Sequence, residues 1–229
     1  MLSPVHAALV ALVCGVVAAT TAGPLLRTVP EPELDGDDDK VPYASLATAR
    51  TALACFCWAT GLTLVACLTI PVARIAPWLV LAVVGSIASV IDIATTWIPR
   101  VLLHAGWGLM ALAVLPSAWS LGDRAGVIRA GVGAAIVGGL FWVVWEVAAR
   151  TARQVFGFAD VRLGFLAGAA AGWAGWQTVG QALFLGCVAG AVWGVVTALA
   201  RRSDGPFPYG PSIALGPFLA QLLGLMSAG

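Results

Sequence analysis

Three acidic side chains lie in or beside apolar stretches of this sequence: Asp92, Glu146 and Asp160. A charged side chain in a membrane helix costs roughly 2.5 to 3.5 kcal/mol at the helix centre and less near its ends. Two carboxylates that share one proton can activate water, because one takes a proton from the water while the other protonates a carbonyl oxygen. The chemistry to test for is therefore hydrolysis, provided that the fold brings two of these groups together.

The other acidic residues have simpler interpretations. Glu146 precedes Arg150 by four residues, which predicts an ion pair on one helix face. Asp123 and Asp204 lie in short loops, each next to an arginine, where a solvated or locally paired charge is expected. The two remaining aspartates are the candidates for a catalytic pair.

The composition is that of a membrane protein. The chain has 229 residues, of which 60% are hydrophobic and 10% charged, and its mean hydropathy is +0.95. Soluble domains carry about 25% charged residues. Repeated apolar runs of about 20 residues predict an all-α, polytopic integral membrane helix bundle with about eight transmembrane helices, a single membrane-embedded domain over residues 1–229 with lipid around it. The net charge of +1 gives no indication of a nucleic-acid partner.

Breaks in the apolar runs place the helices. An acidic, proline-rich segment at residues 24–44 predicts a solvated cytoplasmic loop; it resembles part of a calcium loop but lacks the distal glutamate. The predicted spans cover residues 4–23, 46–71, 75–93, 101–119, 126–149, 161–177 and 181–200, with an eighth that ends near residue 226.

The distribution of basic residues predicts the orientation, because cytoplasmic loops carry an excess of Lys and Arg. Three basic residues follow even-numbered spans, namely Arg74, Arg124 and Arg129. Nine follow odd-numbered spans: Arg27, Lys40, Arg50, Arg100, Arg150, Arg153, Arg162, Arg201 and Arg202. This bias puts both termini outside and places the end of span three and the start of span six, with Asp92 and Asp160, on the cytoplasmic side.

Small residues recur in spans six and seven. Glycine occupies every fourth position at Gly164, Gly168 and Gly172, and again at Gly186, Gly190 and Gly194, which predicts close helix packing. The five cysteines all lie in apolar runs without a C-x-x-C spacing, so we interpret them as small packing residues, with no disulfide framework and no metal site.

Three segments resemble those of one enzyme family. Asp92 begins the sequence Asp-Ile-Ala-Thr-Thr-Trp-Ile-Pro99, which resembles the first catalytic segment of type IV prepilin peptidases. Their second segment, G-x-G-D-x-K-L, is similar to Gly157-Phe-Ala-Asp160-Val-Arg-Leu163, and their P-F-G-P element is similar to Phe207-Pro-Tyr-Gly-Pro211. The three matches occur in the family's order and span roughly half of the chain.

The resemblance implies a membrane aspartyl endopeptidase of the GxGD type in the plasma (inner) membrane. Such an enzyme cuts the short basic leader peptide from prepilins or pseudopilins at the cytoplasmic face, and its dyad would be Asp92 and Asp160, without a cofactor. The motif residues expected to support the site or the substrate are Pro99, Gly157, Ala159, Arg162, Gly210 and Pro211.

The chain departs from the family pattern at two positions. Ala159 replaces the second glycine of G-x-G-D, which is expected to restrict a backbone bend beside Asp160, and Arg162 replaces a lysine but keeps its charge. Many family members also carry a zinc-binding domain with paired C-x-x-C motifs, associated with N-methylation, where this chain has its acidic loop. We therefore expect a form without that domain.

Two alternative functions stay open from the sequence. One is a multispan transporter or ion-coupled carrier, which predicts acids nearer the middle of the bilayer and inverted repeats. The other is a catalytically impaired peptidase homologue with a role in assembly. The sequence does not fix the pilin substrate or the oligomeric state.

Overall fold

The computed structural model describes residues 2–31, 41–150, 157–200 and 207–227. These residues form eight α-helices and two short 3₁₀ turns, without a β-strand in the described ranges, which confirms the predicted all-α fold. The helices are α1 (Pro4–Thr28), α2 (Ala49–Thr69), α3 (Ala76–Thr95), α4 (Arg100–Leu121), α5 (Arg124–Arg150), α6 (Phe158–Ala174), α7 (Trp176–Ala200) and α8 (Gly210–Ser227), and the 3₁₀ turns are Tyr43–Leu46 and Val72–Arg74.

Six of the described helices, α1 to α5 and α7, are long and apolar enough to cross a membrane. Helix α6 has 17 residues, and its side chains are buried for most of its length. An apolar helix that is buried all round belongs inside a bundle. The chain is therefore a polytopic helical membrane protein with α6 in its interior.

Two boundaries differ from the sequence prediction. Helix α1 continues through Pro24 to Thr28, past the predicted start of the loop 24–44, and the acidic residues at positions 32–40 lie outside the described residues. The break between the sixth and seventh helices lies at Gly175 and not at residues 178–180. Gly175 has φ +155°, a conformation that side chains disfavour, so the glycine itself sets the break.

Helices α5 and α6 are in close contact through glycine. A Cβ added to Gly133 would lie 2.6 Å from the carbonyl oxygen of Gly168 and 2.9 Å from the Cα of Gly172. Larger side chains at these positions would push the two backbones apart. The predicted close packing of span six is confirmed along the second half of α6.

An ion-pair cluster stabilises the end of the bundle at which α4 ends and α5 begins. Asp123, between α4 and α5, accepts hydrogen bonds from Arg74 at 2.7 Å and from Arg129 at 3.0 Å, while the indole of Trp173 donates to the Arg74 carbonyl oxygen. A solvated or locally paired charge is expected at Asp123; in the described residues its ion pairs are instead with Arg74 and Arg129 and not with the adjacent Arg124. The predicted Glu146–Arg150 pair is confirmed, with Nη2 and Oε1 2.8 Å apart.

Candidate active site

Asp92 lies in the last turn of α3, and its side chain is only 3% exposed. Its Oδ2 accepts a hydrogen bond of 2.7 Å from the backbone N–H of Gly210, at the start of α8. The helix ends three residues later because Thr96 adopts a left-handed conformation, with φ +58°. That conformation is rare for a β-branched residue and stops the helix directly after the carboxylate.

The segment between Asp92 and α4 is held in place by side chains that the sequence motif alone does not identify. Oγ1 of Thr95 accepts a hydrogen bond from the N–H of Trp97 at 3.1 Å. The buried Tyr43, from the 3₁₀ turn before α2, donates its hydroxyl to the Trp97 carbonyl oxygen at 3.2 Å. Glu31 accepts the N–H of Tyr43 in turn. Pro99 is buried and directly precedes α4, so the whole connection is held against the end of α3.

Asp160 lies in the first turn of α6 and is 5% exposed. Its Oδ2 accepts a hydrogen bond of 3.1 Å from the N–H of Gly157, and its own N–H donates to the carbonyl oxygen of Gly157. Oδ1 is buried and has no hydrogen-bond partner in the described residues. A buried carboxyl oxygen without a partner is costly when it is ionised, so burial favours a proton on this carboxyl group.

The end of α3 and the start of α6 bring the two aspartates within electrostatic range of each other. The charge of Asp92 acts electrostatically on Asp160, although the two residues are far apart in sequence. Tyr209, in the segment before α8, lies beside them: burial raises the pKa of its hydroxyl, and the negative charge of Asp160 raises it further. The ends of α3, α6 and α8 thus converge on one acidic pair.

Gly210 has a steric as well as a hydrogen-bonding reason to be glycine. A Cβ at this position would lie 2.9 Å from Oδ2 of Asp92 and 3.2 Å from its Cβ. Pro211 follows as the second residue of α8 and is buried. Proline is favoured in the first turn of a helix, where its missing N–H leaves no bond unmade. The two residues therefore bring the start of α8 close to Asp92.

The other motif residues lie at the start of α6. Ala159 is in the first helical turn, and Thr96 is the sole non-glycine residue with positive φ in the described ranges. The expected bend at residue 159 is absent, so alanine fits there without strain. The Arg162 guanidinium lies 4.5 Å from the centre of the Phe158 ring, and its charge interacts with that of Arg100. Gly157 supplies the N–H that binds Asp160.

Comparison with known proteins identifies the family. The sequence model of the type IV leader peptidase family matches residues 79–195, which is just over half of the chain and includes both aspartates. The chain belongs to the type IV leader peptidase family.

Individual relatives of this leader peptidase homologue are themselves named as leader peptidases. A prepilin leader peptidase/N-methyltransferase of Pseudomonas aeruginosa is 28% identical over 152 residues, covering 56% of this chain and 51% of the relative. Proteins of that name from Aeromonas salmonicida and Pseudomonas putida are 31% identical over 120 residues and 33% identical over 147 residues. They cover 52% and 54% of this chain, and 38% and 50% of their own lengths. The chain thus spans about half the length, or less, of these curated relatives. No solved structure matches it significantly.

Proposed function

We propose that this leader peptidase family member is an aspartyl endopeptidase that cleaves the leader peptide of type IV prepilins or pseudopilins. The observation that carries the proposal is the pair of buried, interacting aspartates, each oriented by one backbone N–H, from Gly210 and from Gly157. Asp160 keeps one oxygen unpartnered. Family membership and the names of the relatives support the substrate class.

The hydrogen bonds indicate which aspartate of the dyad is ionised and which carries the proton. Like charges at close range favour a pair that holds one proton in all. The N–H of Gly210 lies closer to Asp92 than that of Gly157 does to Asp160, which favours the ionised form at Asp92. Asp92 would then take a proton from the attacking water, while Asp160 donates its proton to the carbonyl oxygen of the substrate. A tetrahedral gem-diol intermediate results.

The second half of the reaction returns the protons. The carboxylic acid of Asp92 gives its proton to the leaving amine nitrogen as the carbon–nitrogen bond breaks, and the carboxylate of Asp160 takes back a proton as the new carboxylic acid forms. Water is consumed, two peptide fragments leave, and the dyad again holds one proton. Burial of both side chains strengthens each of these electrostatic interactions, because little bulk water screens them.

The predicted orientation places this site at the cytoplasmic face of the plasma (inner) membrane. The excess of basic residues in the loops after odd-numbered spans supports that side. Arg100 and Arg162 lie at the same end of the bundle as the aspartates, as the starts of α4 and α6 require. A leader peptide presented from the cytoplasm would reach the dyad without crossing the membrane.

The proposal is tested with Asp92→Asn and Asp160→Asn. Each substitution keeps the shape of the side chain but replaces the carboxyl group with an amide that cannot accept or donate the catalytic proton. Each should therefore abolish cleavage of a co-expressed prepilin while the protein stays in the membrane. Glu146→Gln is the matched control, because Glu146 is paired with Arg150 at the surface and should leave cleavage unchanged. Continued processing by both aspartate variants would overturn the mechanism. A purified protein that binds the prepilin without cleaving it would instead indicate a role in assembly.

A further inference from the structure

An apolar groove of about 500 Å³ lies between α4, α5 and α6, away from the acidic pair's own contacts with α8. We refer to it as the α4–α6 groove, and its walls include Met110, Val127, Ala134 and Ala169. Leu115 also lines the groove and is 55% exposed, so the groove is open to the outside of the bundle. Because α4 and α5 are long and apolar enough to cross a membrane, this opening faces lipid.

The dimensions of the groove restrict what can occupy it. It extends along α4 from Trp107 to Leu115, which is about 12 Å of helix at about 1.5 Å per residue. One leaflet contributes about 15 Å of the hydrocarbon core of a bilayer, so the groove has the depth of a single leaflet. A helix with its side chains is about 10 Å across, so a piece as long as the groove takes up roughly 900 Å³ and does not fit. A hydrocarbon chain, with carbon–carbon contacts at about 4 Å, is less than half as wide and fits.

Two arginines lie at one end of the groove. Arg162 precedes Phe165 and Leu166 by three and four residues, so it shares the face of α6 that lines the groove. Arg100 precedes Trp107 by seven residues, which is two turns along the same face of α4. The charges of Arg100 and Arg162 interact. The indole of Trp107 donates a hydrogen bond of 3.0 Å to the carbonyl oxygen of Arg162, which joins the two helices at this end.

The positive charge at this end is not compensated within the protein. In the ranges that the structure describes, ion pairs are formed by Arg74, Arg129 and Arg150, but not by Arg100 or Arg162. Two like charges at close range repel each other, and an anion that contacts both removes the repulsion. Guanidinium groups bind phosphate through short, charge-assisted hydrogen bonds, and basic pockets between membrane helices bind lipid head groups.

We propose that the α4–α6 groove binds an acyl chain of an anionic phospholipid whose phosphate contacts Arg100 and Arg162. The apolar walls and the basic end then contact two parts of one molecule, in the order in which a leaflet presents them, with the head group at the surface and the chain beneath it. The predicted orientation places this lipid in the cytoplasmic leaflet. Lipid binding here does not depend on peptidase activity, so the inference goes beyond the proposed function.

The head-group contact is tested by native mass spectrometry of the purified full chain in detergent, titrated with dioleoylphosphatidylglycerol or with zwitterionic dioleoylphosphatidylcholine. The unmodified protein should bind the first phosphatidylglycerol about tenfold more tightly than the first phosphatidylcholine. Arg100→Gln should remove most of this preference. Arg50→Gln is the matched control, because Arg50 is an exposed arginine at the start of α2, which does not line the groove. It should bind both lipids as the unmodified protein does.

The acyl-chain contact is tested separately by filling the groove. Gly131 lines the groove, and a Cβ at this position meets no atom within 4 Å, so Gly131→Leu extends into the free space without a clash. It should weaken the binding of phosphatidylglycerol about tenfold and abolish the rise in Tm that this lipid gives the unmodified protein. Gly139→Leu is the matched control on the same helix, since a Cβ on Gly139 also meets no atom within 4 Å and this residue does not line the groove. Its lipid binding should be unchanged.

Four results would overturn the proposal. Two of them are equal affinity of the unmodified protein for the two lipids and unchanged lipid binding by Gly131→Leu. A third is a loss in Arg124→Gln as large as in Arg100→Gln, because the exposed Arg124, three residues before Val127, lies at the opposite end of the groove. The fourth is a rise in Tm with inorganic phosphate equal to that with phosphatidylglycerol, which would show an ion site without a lipid chain. Tm without lipid shows whether each variant is folded, and if Arg100→Gln is not, Gly131→Leu decides the outcome.

Discussion

The backbone N–H of Gly210 donates a hydrogen bond of 2.7 Å to Oδ2 of Asp92, between residues 118 positions apart in the chain. This bond joins the start of the last helix to the end of the third. Asp92 is therefore oriented by α8, and the start of α8 is part of the candidate site.

The first prediction concerns Gly210→Ala. A Cβ here would lie 2.9 Å from Oδ2 of Asp92, so the carboxylate must move or the start of α8 must shift. A displacement of this size in a positioned catalytic group is expected to lower kcat by about 10- to 100-fold. The measurement is the rate of prepilin cleavage by the purified protein.

Gly108→Ala is the control for this variant, because a Cβ on Gly108 meets no atom within 4 Å. It should retain normal activity and thermal stability. If Gly210→Ala cleaves at the normal rate, the close approach of α8 to Asp92 is not required for catalysis.

The second prediction concerns Ala159→Gly, which restores the residue found in the family motif. Residue 159 is in the first turn of a regular helix without positive φ, so glycine offers no conformational advantage there. We expect unchanged kcat and a stability lower by up to about 1 kcal/mol, because glycine is a poorer helix former than alanine. Cleavage rates and thermal unfolding of the two proteins provide the comparison. A severalfold gain in activity would show that catalysis needs a bend at this position.

The third prediction concerns Thr95→Val, which keeps the shape of the side chain but removes its hydroxyl. The N–H of Trp97 would lose its acceptor, at a cost of about 1 kcal/mol. The segment after Asp92 should loosen, and kcat should fall roughly fivefold. Thr20→Val is the matched control, since the Thr20 hydroxyl is exposed and donates only to carbonyl oxygens of its own helix. Similar losses in both variants would argue against a positioning role for Thr95.

The fourth prediction concerns Asp123 and pH. Desolvation raises the pKa of this carboxyl, but the N–H of Gly126 and the charges of Arg129 and Arg74 outweigh it and hold the pKa below its usual value. A carboxyl with a lowered folded-state pKa stabilises the fold above its unfolded pKa of about 3.9. That stabilisation is lost as the pH falls through the lowered value.

Asp123→Asn should therefore lower Tm by several degrees at pH 7, and the difference from the unmodified protein should shrink below about pH 4. Cleavage by the folded variant should persist, because Asp123 lies at the other end of α4, about 33 Å of helix away from Arg100 and the acidic pair. A Tm difference that is independent of pH would show that the ion pairs do not supply the stability.

The sequence determined the class of fold and the identity of the candidate residues. Apolar runs of membrane-spanning length predict helices whatever their partners, because lipid leaves backbone groups no other way to be satisfied. The cost of a carboxylate in an apolar run likewise singles out Asp92 and Asp160 by residue type and position alone. The ordered motifs added a family resemblance, which the match over residues 79–195 confirms.

The tertiary structure decided which groups meet. Local spacing predicted a solvated or locally paired charge at Asp123, whereas packing brings Arg74 to it from 49 residues away, together with Arg129. Similarly, only the arrangement of helices shows that Tyr43 holds the carbonyl oxygen of Trp97 and that Gly210 contacts Asp92. Contacts between residues that are distant in sequence depend on how helices pack, and a hydrophobic pattern gives the face of a helix but not its neighbour.

The two aspartates show both what the sequence determines and what the packing of the helices determines. Their residue type and their position at apolar helix ends are properties of the sequence, since the cost of burying a charge depends on the apolar run around it. Their electrostatic interaction and the N–H groups that orient them exist only where the ends of α3, α6 and α8 pack together. Packing between distant segments creates such a point, because no single helix brings together two acids that lie far apart in the chain.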